Sequence, residues 1–426
     1  MNKKDYKIHI IGAGISGLIA AVVLEKNGYH PTIIDANTKV GGRVTTEIIK
    51  GYQLDRGFQV LLEAYPKAKQ YLNFKALAPQ YFLPGAVIFK NGNQQTIGDA
   101  LRKPSLLWGT LVSNVATFND KLKILKLNRR LKKQSLEEIF QKPEQTTLGY
   151  LQEFGFSSKV IDEFFKPFFS GIFLEPNLST SSRMFEYVYK MFGEGLAVLP
   201  KDGIGAIPQQ LKSKLKTTEF IFNTKVKEVT DSTLVLENGE VLNTHFTIVA
   251  TAASALIPNL NNQEVKWKRC DTLYFEVEKR NLNKPIIGLV ADKGALINNI
   301  FFHDSLEMTH NGAHHLLSVT VVKPHQLSTE ALVKAVTSDL KTFCNIQNTV
   351  FLKHYPIEKA LPNLKDLRYD GEPSETQLKP TIYLAGDYML NGSLNAAMIS
   401  GERAAQGVIQ SLEDGLVVEE LTSEYL

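Results

Sequence analysis

Hydrophobic residues near the start of the chain form two short strand-like runs separated by one helical stretch. Residues 7–11 are an apolar run of strand length, and residues 18–27 are an apolar stretch of helical length. Gly28 is placed to end the helix, and a second apolar run at 32–34 closes on Asp35. The pattern therefore predicts a strand, a helix and a second strand, as at the start of an α/β fold.

The turn between the first strand and the helix reads G-x-G-x-x-G, a pattern typical of dinucleotide binding in this setting. Gly12 permits a tight turn, Gly14 lets a diphosphate approach the backbone, and Gly17 allows the helix to pack closely on the strand. The N–H groups at the helix start favour phosphate. Asp35 can accept hydrogen bonds from ribose hydroxyl groups, and it disfavours a 2′-phosphate. The pattern predicts FAD or NAD rather than NADP.

The hydrophobic pattern changes twice further along the chain. Residues 76–192 show mainly a helical period, whereas residues 261–374 read as antiparallel strands with one helix over 329–343. Buried strands are predicted again at 245–251 and 381–385. The chain is therefore expected to leave a buried sheet and to return to it.

Composition and charge favour an ordinary globular protein and give no indication of nucleic-acid binding. The chain has 426 residues, of which 43% are hydrophobic and 22% charged, so an ordinary globular protein of roughly two or three domains is expected. A net charge of +4 is too small to indicate nucleic-acid binding. Cys270 and Cys344 fit no metal or redox spacing and suit a reducing compartment. The apolar run from 8 to 24 is too short to cross a membrane and contains three glycines. We therefore expect a cytoplasmic protein.

Two further motifs extend the dinucleotide pattern. Gly41-Gly42-Arg43-Val44 follows Asp35 closely, and Gly57-Phe58-Gln59-Val60 comes soon after. A second glycine pair suits a second approach to a diphosphate, and a guanidinium group would add charge-assisted hydrogen bonds. Near residue 386 a strand ends in Gly386-Asp387, and Gly392-Ser393-Leu394-Asn395 then enters a predicted helix.

These motifs, in this order, resemble the flavin-containing amine oxidase superfamily, on the branch that holds phytoene desaturases and protoporphyrinogen oxidases. The resemblance implies FAD, held in a discontinuous Rossmann-like domain of α/β class formed by residues 1–75, 193–260 and 375–415. It also implies an α+β substrate domain, built on an antiparallel sheet (261–374) and a helical insert (76–192).

The motifs and the resemblance together define a set of expected cofactor-binding residues. By the resemblance, Asp387 bonds the ribityl or diphosphate part, Leu394 and Asn395 lie beside the isoalloxazine, and Val226 meets the adenine through its backbone. The full expected set is Gly12, Ala13, Gly14, Ile15, Ser16, Gly17, Asp35, Ala36, Gly41, Gly42, Arg43, Val44, Gly57, Phe58, Gln59, Val60, Val226, Thr251, Gly386, Asp387, Ser393, Leu394 and Asn395.

No catalytic residue or metal ligand is assigned from the sequence. His354 or Tyr355 could approach a substrate, but a strand packed under the sheet is an equally good interpretation. His310, His314 and His315 lie close together, but no acid or cysteine completes a ligand set. No metal is therefore expected.

The closing motif lacks an aromatic residue, and this absence limits the reactions to be expected. Amine oxidases of the superfamily place an aromatic residue where this chain has Ser393. The leading hypothesis is therefore an enzyme that dehydrogenates or isomerises an apolar small molecule, such as an isoprenoid, a polyene or a porphyrinogen-like compound, by hydride transfer to flavin N5. The alternatives are an amine oxidase acting on a C–N bond and a module in which FAD is structural. An NAD-dependent dehydrogenase is disfavoured by the Gly-Asp closing motif. The electron acceptor stays open among oxygen, a quinone and a protein.

Two features of the helical insert bear on substrate and partners. The first is a basic helix predicted over residues 121–133, with Leu106, Leu107 and Trp108 shortly before it. A solvated helix is favoured, and contact with an anionic membrane surface is the alternative. Its cations are Lys121, Lys123, Lys126, Arg129, Arg130, Lys132 and Lys133.

The second feature is a stretch dense in phenylalanine. Core packing is the safer interpretation for most of these rings, and the wall of an apolar substrate channel is the alternative. The rings are Phe154, Phe156, Phe164, Phe165, Phe168, Phe169 and Phe173.

Overall fold

The structure, a computed structural model, describes residues 2–98, 113–257, 260 and 264–413. Its strands are β1 Ile8–Ile11, β2 Thr32–Ile34, β3 Thr46–Ile49, β4 Tyr52–Asp55, β5 Leu61–Leu62, β6 Gln80–Tyr81, β7 Gly85–Lys90, β8 Asn93–Gly98, β9 Ala197–Leu199, β10 Glu219–Ile221, β11 Val226–Val229, β12 Thr233–Leu236, β13 Val241–Asn243, β14 Phe246–Val249, β15 Trp267–Val277, β16 Ile287–Val290, β17 Ile297–Phe302, β18 His315–Val321, β19 Thr349–Pro362, β20 Gln377–Lys379 and β21 Ile382–Leu384. Its α-helices are α1 Ile15–Lys26, α2 Pro66–Tyr71, α3 Phe74–Leu77, α4 Phe118–Lys133, α5 Leu136–Phe140, α6 Thr147–Glu153, α7 Ser158–Val160, α8 Lys166–Phe173, α9 Ser182–Glu194, α10 Ala206–Lys214, α11 Thr329–Cys344 and α12 Leu394–Glu413.

A six-stranded sheet gathers strands from three distant parts of the chain. Its order is β10-β2-β1-β14-β21-β20, and its neighbours run parallel except for the edge strand β20. Because β1 lies between β2 and β14, the strand order reverses at β1. In sheets of this kind, ligands bind beyond the carboxyl ends of the strands at such a reversal. The predicted first βαβ unit and the buried strands at 245–251 and 381–385 are confirmed.

Helices α1 and α12 pack against each other beside this sheet, although they lie far apart in the sequence. Gly401 of α12 approaches α1 so closely that a Cβ atom there would lie 2.2 Å from the Ser16 carbonyl oxygen. The hydroxyl groups of Ser16 and Ser400 lie 3.4 Å apart across the same contact. Glycine at 401 therefore lets the two ends of the described chain meet.

A seven-stranded sheet forms the second layer, in the order β19-β15-β18-β17-β16-β7-β8. Its neighbours run antiparallel except for the parallel pair β16 and β7. Helix α11 packs on one face through Leu332, Val336 and Leu340, all buried with the sheet's apolar side chains. The antiparallel strands and the helix predicted for residues 261–374 are confirmed.

The prediction that residues 76–192 are largely helical is wrong for residues 80–98. Strands β6, β7 and β8 lie there, and the last two form a hairpin at the edge of the seven-stranded sheet. The turn is Asn91-Gly92, with φ values of 50° and 73°, which is the two-residue turn that suits the twist of a hairpin. The helical prediction holds for the described residues from 118 onward. The predicted Leu106, Leu107 and Trp108 segment lies outside the described residues.

Candidate FAD and substrate site

The three glycines of the first turn have different surroundings. A Cβ atom on Gly12, where φ is 109°, would lie 2.9 Å from the Ala250 carbonyl oxygen, and one on Gly17 would lie 2.0 Å from the Gly12 carbonyl oxygen. A Cβ atom on Gly14 would have no neighbour within 4 Å. Gly12 and Gly17 are therefore needed for packing, whereas Gly14 faces open space at the start of α1. A diphosphate fits this arrangement, since no side chain fills the space beside Gly14 and a helix starts there.

Asp35 joins the first turn to the segment that follows β2. Its carboxylate accepts hydrogen bonds from the backbone N–H of Ala13 at 2.6 Å and of Asn37 at 2.7 Å. The Asn37 side-chain amide donates to the same carboxylate at 2.8 Å. Asp35 is buried yet reaches the cavity that opens beside it.

The second glycine pair lies directly against the first turn. Gly41 donates its backbone N–H to the Ala13 carbonyl at 2.9 Å, and a Cβ on Gly42 would lie 3.5 Å from Gly14 Cα. Both glycines have positive φ, at 128° and 59°. Two glycine segments thus form one continuous backbone surface without side chains, as a second approach to a diphosphate requires.

Arg43 bridges the opening and closing motifs. Its guanidinium donates to the Asp387 carboxylate at 2.5 Å and to the Ala360 carbonyl at 3.3 Å. It also lies 5.1 Å from the ring centre of Trp267, within the range of a cation–π contact. Asp387 is almost fully buried, with 5% of its side chain exposed, so Arg43 neutralises a charge that would be costly to bury alone.

Helix α12 starts at the closing motif and is capped by Ser393. The Ser393 hydroxyl accepts the backbone N–H of Ala396 at 3.0 Å and donates to the Asn391 side chain at 2.7 Å. The Asn395 side-chain oxygen accepts the backbone N–H of Lys67 at 2.9 Å, while its side-chain nitrogen is buried without a partner. Serine at 393 therefore has a local structural role as a helix cap.

One cavity of about 1670 Å³ brings nearly all of the expected cofactor residues together. Of the expected set, every residue except Ala13, Gly17 and Asn395 lines it. Ala13 holds Asp35 and Gly41 through its backbone, and Gly17 packs under the turn. The volume exceeds the roughly 300–1,000 Å³ usual for one small-molecule site. The cavity therefore has room for a dinucleotide and a second molecule.

The same cavity also has an aromatic wall. Phe164, Phe168, Phe169 and Phe173 line it, together with Phe192. Of the three remaining phenylalanines of the predicted stretch, Phe156 and Phe165 are buried in the main core, and Phe154 is partly buried and packs against it. Phe169 and Phe173 belong to the main core and also line the cavity, so core packing describes most of these rings, and the wall of a substrate channel stays a prediction for those that line the cavity.

Strand β15 supplies polar residues to the same part of the cavity. Lys268, Cys270 and Thr272 line it from alternate positions, as a strand facing a cavity requires. The Lys268 ammonium donates to the Phe173 carbonyl at 3.1 Å and to the Thr180 hydroxyl at 2.9 Å. None of these three was predicted, although the alternation along W-K-R-C-D-T could have indicated them.

Burial controls the protonation of groups in and near the cavity. It raises the pKa of the Cys270 thiol to about 12, so this group stays neutral at pH 7. It lowers the pKa of Lys268 and raises the pKa of Asp55 to about 7. Asp55 lies at the end of β4 and accepts hydrogen bonds from the Thr46 hydroxyl at 2.5 Å and the Ile204 backbone at 3.1 Å.

The residues weighed as possible contacts to a substrate lie elsewhere. The His354 ring nitrogen Nε2 lies 2.7 Å from Asp271, and the Tyr355 hydroxyl donates to Glu47 at 2.9 Å. Neither residue lines the cavity, and no histidine in the described ranges does so. His354 and Tyr355 therefore serve the packing of β19, which agrees with the structural interpretation.

The fold and this cavity define a dinucleotide-dependent enzyme whose cavity also has an apolar part. Over residues 15–409 the chain matches the family model described as flavin containing amine oxidoreductase, and it belongs to that family. It is accordingly an FAD-dependent oxidoreductase.

Two relatives match nearly the whole chain. Protoporphyrinogen oxidase 2 of Arabidopsis thaliana is 22% identical over 484 residues, covering 96% of this chain and 94% of the relative. Hydroxysqualene dehydroxylase of Zymomonas mobilis is 22% identical over 436 residues, covering 93% and 97%. The solved structure of a CLA-producing fatty acid isomerase from P. acnes superposes with a TM-score of 0.71 at 15% identity, covering 95% of this chain and 99% of that one. That likeness shows a shared fold.

Proposed function

We propose that this enzyme dehydrogenates or isomerises an apolar small molecule, such as an isoprenoid, a polyene or a porphyrinogen-like compound. The observation that carries the proposal is the continuity of one cavity between the glycine-lined end and the aromatic wall. An apolar substrate in the aromatic compartment would abut a cofactor held at the other end. The relatives named for a porphyrinogen and for hydroxysqualene support this substrate class.

The cofactor residues of the proposal are those that surround the glycine-lined end. Gly14 and Gly42 offer backbone to the diphosphate, and Asp35 offers carboxylate oxygens to the ribose. The closing motif at 386–387 and 393–394 offers the start of α12, whose partial positive charge favours a negatively charged group nearby. We assign residues 1–75, 193–260 and 375–415 to the FAD-binding domain, and 76–192 and 261–374 to the substrate domain. The shared six-stranded sheet supports this division.

The chain's own residues would align the substrate and exclude water. Bound FAD supplies the hydride acceptor, N5 of its ring. The ring of Phe168 stacks on that of Phe164 and meets that of Phe169 edge to face, and such a wall of rings would exclude water from around an apolar substrate. Alignment in a dry compartment is a large part of what a hydride transfer needs. The neutral Cys270 adds no charge to this environment.

The test is anaerobic mixing of the FAD-loaded protein with candidate substrates while flavin absorbance is recorded. We expect bleaching by a polyene, isoprenoid or porphyrinogen, or an isomerised product without net bleaching. Bleaching by simple amines alone would replace the proposal with an amine oxidase, and a flavin that no candidate reduces, isomer formation also being absent, would favour structural FAD. Readmitting oxygen, a quinone or a cell extract to the reduced enzyme then distinguishes the three possible electron acceptors.

Membrane contact through the basic helix belongs to the same proposal, because apolar substrates partition into lipid. Among the described residues, no helix combines the length and apolar composition that a membrane crossing needs. The contact proposed is therefore peripheral and confined to the surface of α4.

A further inference from the structure

Helix α4 directs large apolar side chains into solvent. Phe118, Leu122 and Leu125 are 77%, 49% and 37% exposed. They are spaced four and three residues apart, so they share one face of the helix. Leu127 and Leu131 on the opposite side are buried in the main core. The helix is therefore anchored to the protein by one face and presents an apolar patch on the other.

The same exposed face becomes cationic toward the end of α4. Arg129, Lys132 and Lys133 are exposed, and none forms an ion pair with a described residue. Arg130 differs from these three cations because it points inward. Its guanidinium group donates a hydrogen bond to the buried Glu186 carboxylate at 2.6 Å.

The carboxylate of Asp120 in α4 does not neutralise the positive charge of the exposed face. Asp120 is 1% exposed and accepts hydrogen bonds from Thr117 and Ser157 as part of the helix cap. The exposed face thus combines apolar residues and uncompensated positive charge.

The apolar patch adjoins the cavity that holds the proposed substrate site. Lys121, Ile124, Leu125 and Asn128 of α4 line that cavity. Leu125 is both 37% exposed and part of the lining. Leu125 therefore lies where the exposed face of α4 meets the cavity.

We propose that α4 docks on an anionic lipid bilayer, so that the substrate passes from lipid into the cavity beside Leu125. Phe118 and Leu122 would enter the headgroup region, while Arg129, Lys132 and Lys133 would contact lipid phosphate. Interfacial helices combine these two features, and each cation near an anionic surface strengthens binding. The docking rests on the proposed function, since a polar substrate would have no reason to enter from lipid.

The test is flotation of the FAD-loaded full chain with vesicles of phosphatidylcholine alone or mixed with phosphatidylglycerol. We expect preferential binding to the anionic vesicles, weakened by salt. Arg129→Gln/Lys132→Gln/Lys133→Gln should lower the partition coefficient roughly 100-fold, about fivefold for each cation. Phe118→Ser/Leu122→Ser should also abolish most binding. Matched controls are Lys227→Gln/Lys279→Gln/Lys284→Gln and Val241→Ser/Val350→Ser, which change exposed residues elsewhere.

Three outcomes would overturn the docking. The first is equal binding to both vesicle types. The second is a loss of vesicle binding in the control variants as large as that in the α4 variants. The third is a melting temperature of Phe118→Ser/Leu122→Ser as low as that of a variant with a substitution in the core. The last would mean that protein covers these side chains. Flavin bleaching by detergent-dispersed substrate, measured in parallel, separates this proposal from the proposed function. A protein that reacts but ignores vesicles refutes the docking alone, and one that binds vesicles but never reacts supports the docking and refutes the proposed reaction.

Discussion

Gly14 and Gly17 lie three residues apart and should respond in opposite ways to the same added methyl group. At Gly17 the new Cβ would lie 2.0 Å from the Gly12 carbonyl oxygen, about 1 Å inside the closest distance that real Cβ atoms show. Helix α1 and the turn after β1 would have to separate. We expect Gly17→Ala to destabilise the apoprotein by about 1–3 kcal/mol, the usual cost of overpacking, and to impair FAD binding as a consequence.

Gly14→Ala should leave the apoprotein intact and weaken FAD directly. Gly14 has φ of −75° and ψ of −178°, which alanine adopts without strain, and its Cβ would meet nothing within 4 Å. If the diphosphate occupies that space, the methyl group displaces it from the backbone N–H groups. Losing a hydrogen bond to a charged group costs about 1.5–3 kcal/mol, so FAD affinity should fall roughly 10- to 150-fold.

The assay has two readouts for each variant: the melting temperature of the apoprotein and the FAD dissociation constant by calorimetry. The reasoning predicts an unchanged melting temperature with weak FAD for Gly14→Ala, and a lowered melting temperature for Gly17→Ala. It would be refuted if Gly14→Ala bound FAD like the unaltered protein, or if it destabilised the apoprotein as much as Gly17→Ala.

Three further predictions follow from the site. Arg43→Met leaves the buried Asp387 carboxylate without its partner, and we expect a loss of about 1–3 kcal/mol in stability or FAD affinity, seen by calorimetry; unchanged values would show that the ion pair is dispensable. Because burial raises the pKa of Asp55 to about 7, the folded state keeps a proton that the unfolded state loses near pH 4, so its stabilising contribution falls as pH rises from 4 to 7. Asp55→Asn should flatten the unfolding free energy across that range, and an unaltered slope would contradict the assignment. Phe168→Leu should change the KM for the substrate and have little effect on the melting temperature. Phe165→Leu alters a core residue, so it should lower the free energy of unfolding by about 1–2 kcal/mol and leave KM unchanged. Identical effects of the two substitutions would mean that Phe168 is not part of the substrate wall.

Much of the cofactor end could be predicted because its signals are local. The first turn, the second glycine pair and the closing motif each have a pattern that spans only a few residues. Each pattern can therefore be recognised however far apart the motifs lie in the sequence. The pairing of Arg43 with Asp387 could be anticipated only through the order of motifs, since 344 residues separate the two partners. The capping role of Ser393 has a local signal too, a serine three residues before Ala396, although the resemblance to amine oxidases points to a substrate-side substitution at this position.

The substrate end was harder to predict because its signals depend on tertiary context. The helical period of the surrounding insert hides the hairpin at 85–98, although Asn91-Gly92 between apolar runs is a strong turn signal. Lys268 could not be recognised as a cavity residue, since its burial depends on α8 and the segment around Thr180. The division of the phenylalanines between wall and core likewise depends on how α8 and α9 pack.

The contact between α1 and α12 has a consequence for how the protein is made. Strand β1 and helix α1 are synthesised more than 350 residues before β21, which pairs with β14 in the same sheet, and before α12, which packs against α1. Until Asp387 and Gly401 emerge, the nascent chain has an exposed strand edge beside β14 and an uncovered apolar face on α1. Pairings of such high sequence separation form late, and the waiting surface is prone to aggregation. The complete cofactor site therefore exists only after residue 401 has been synthesised, and chaperone demand should rise with translation time over the central inserts.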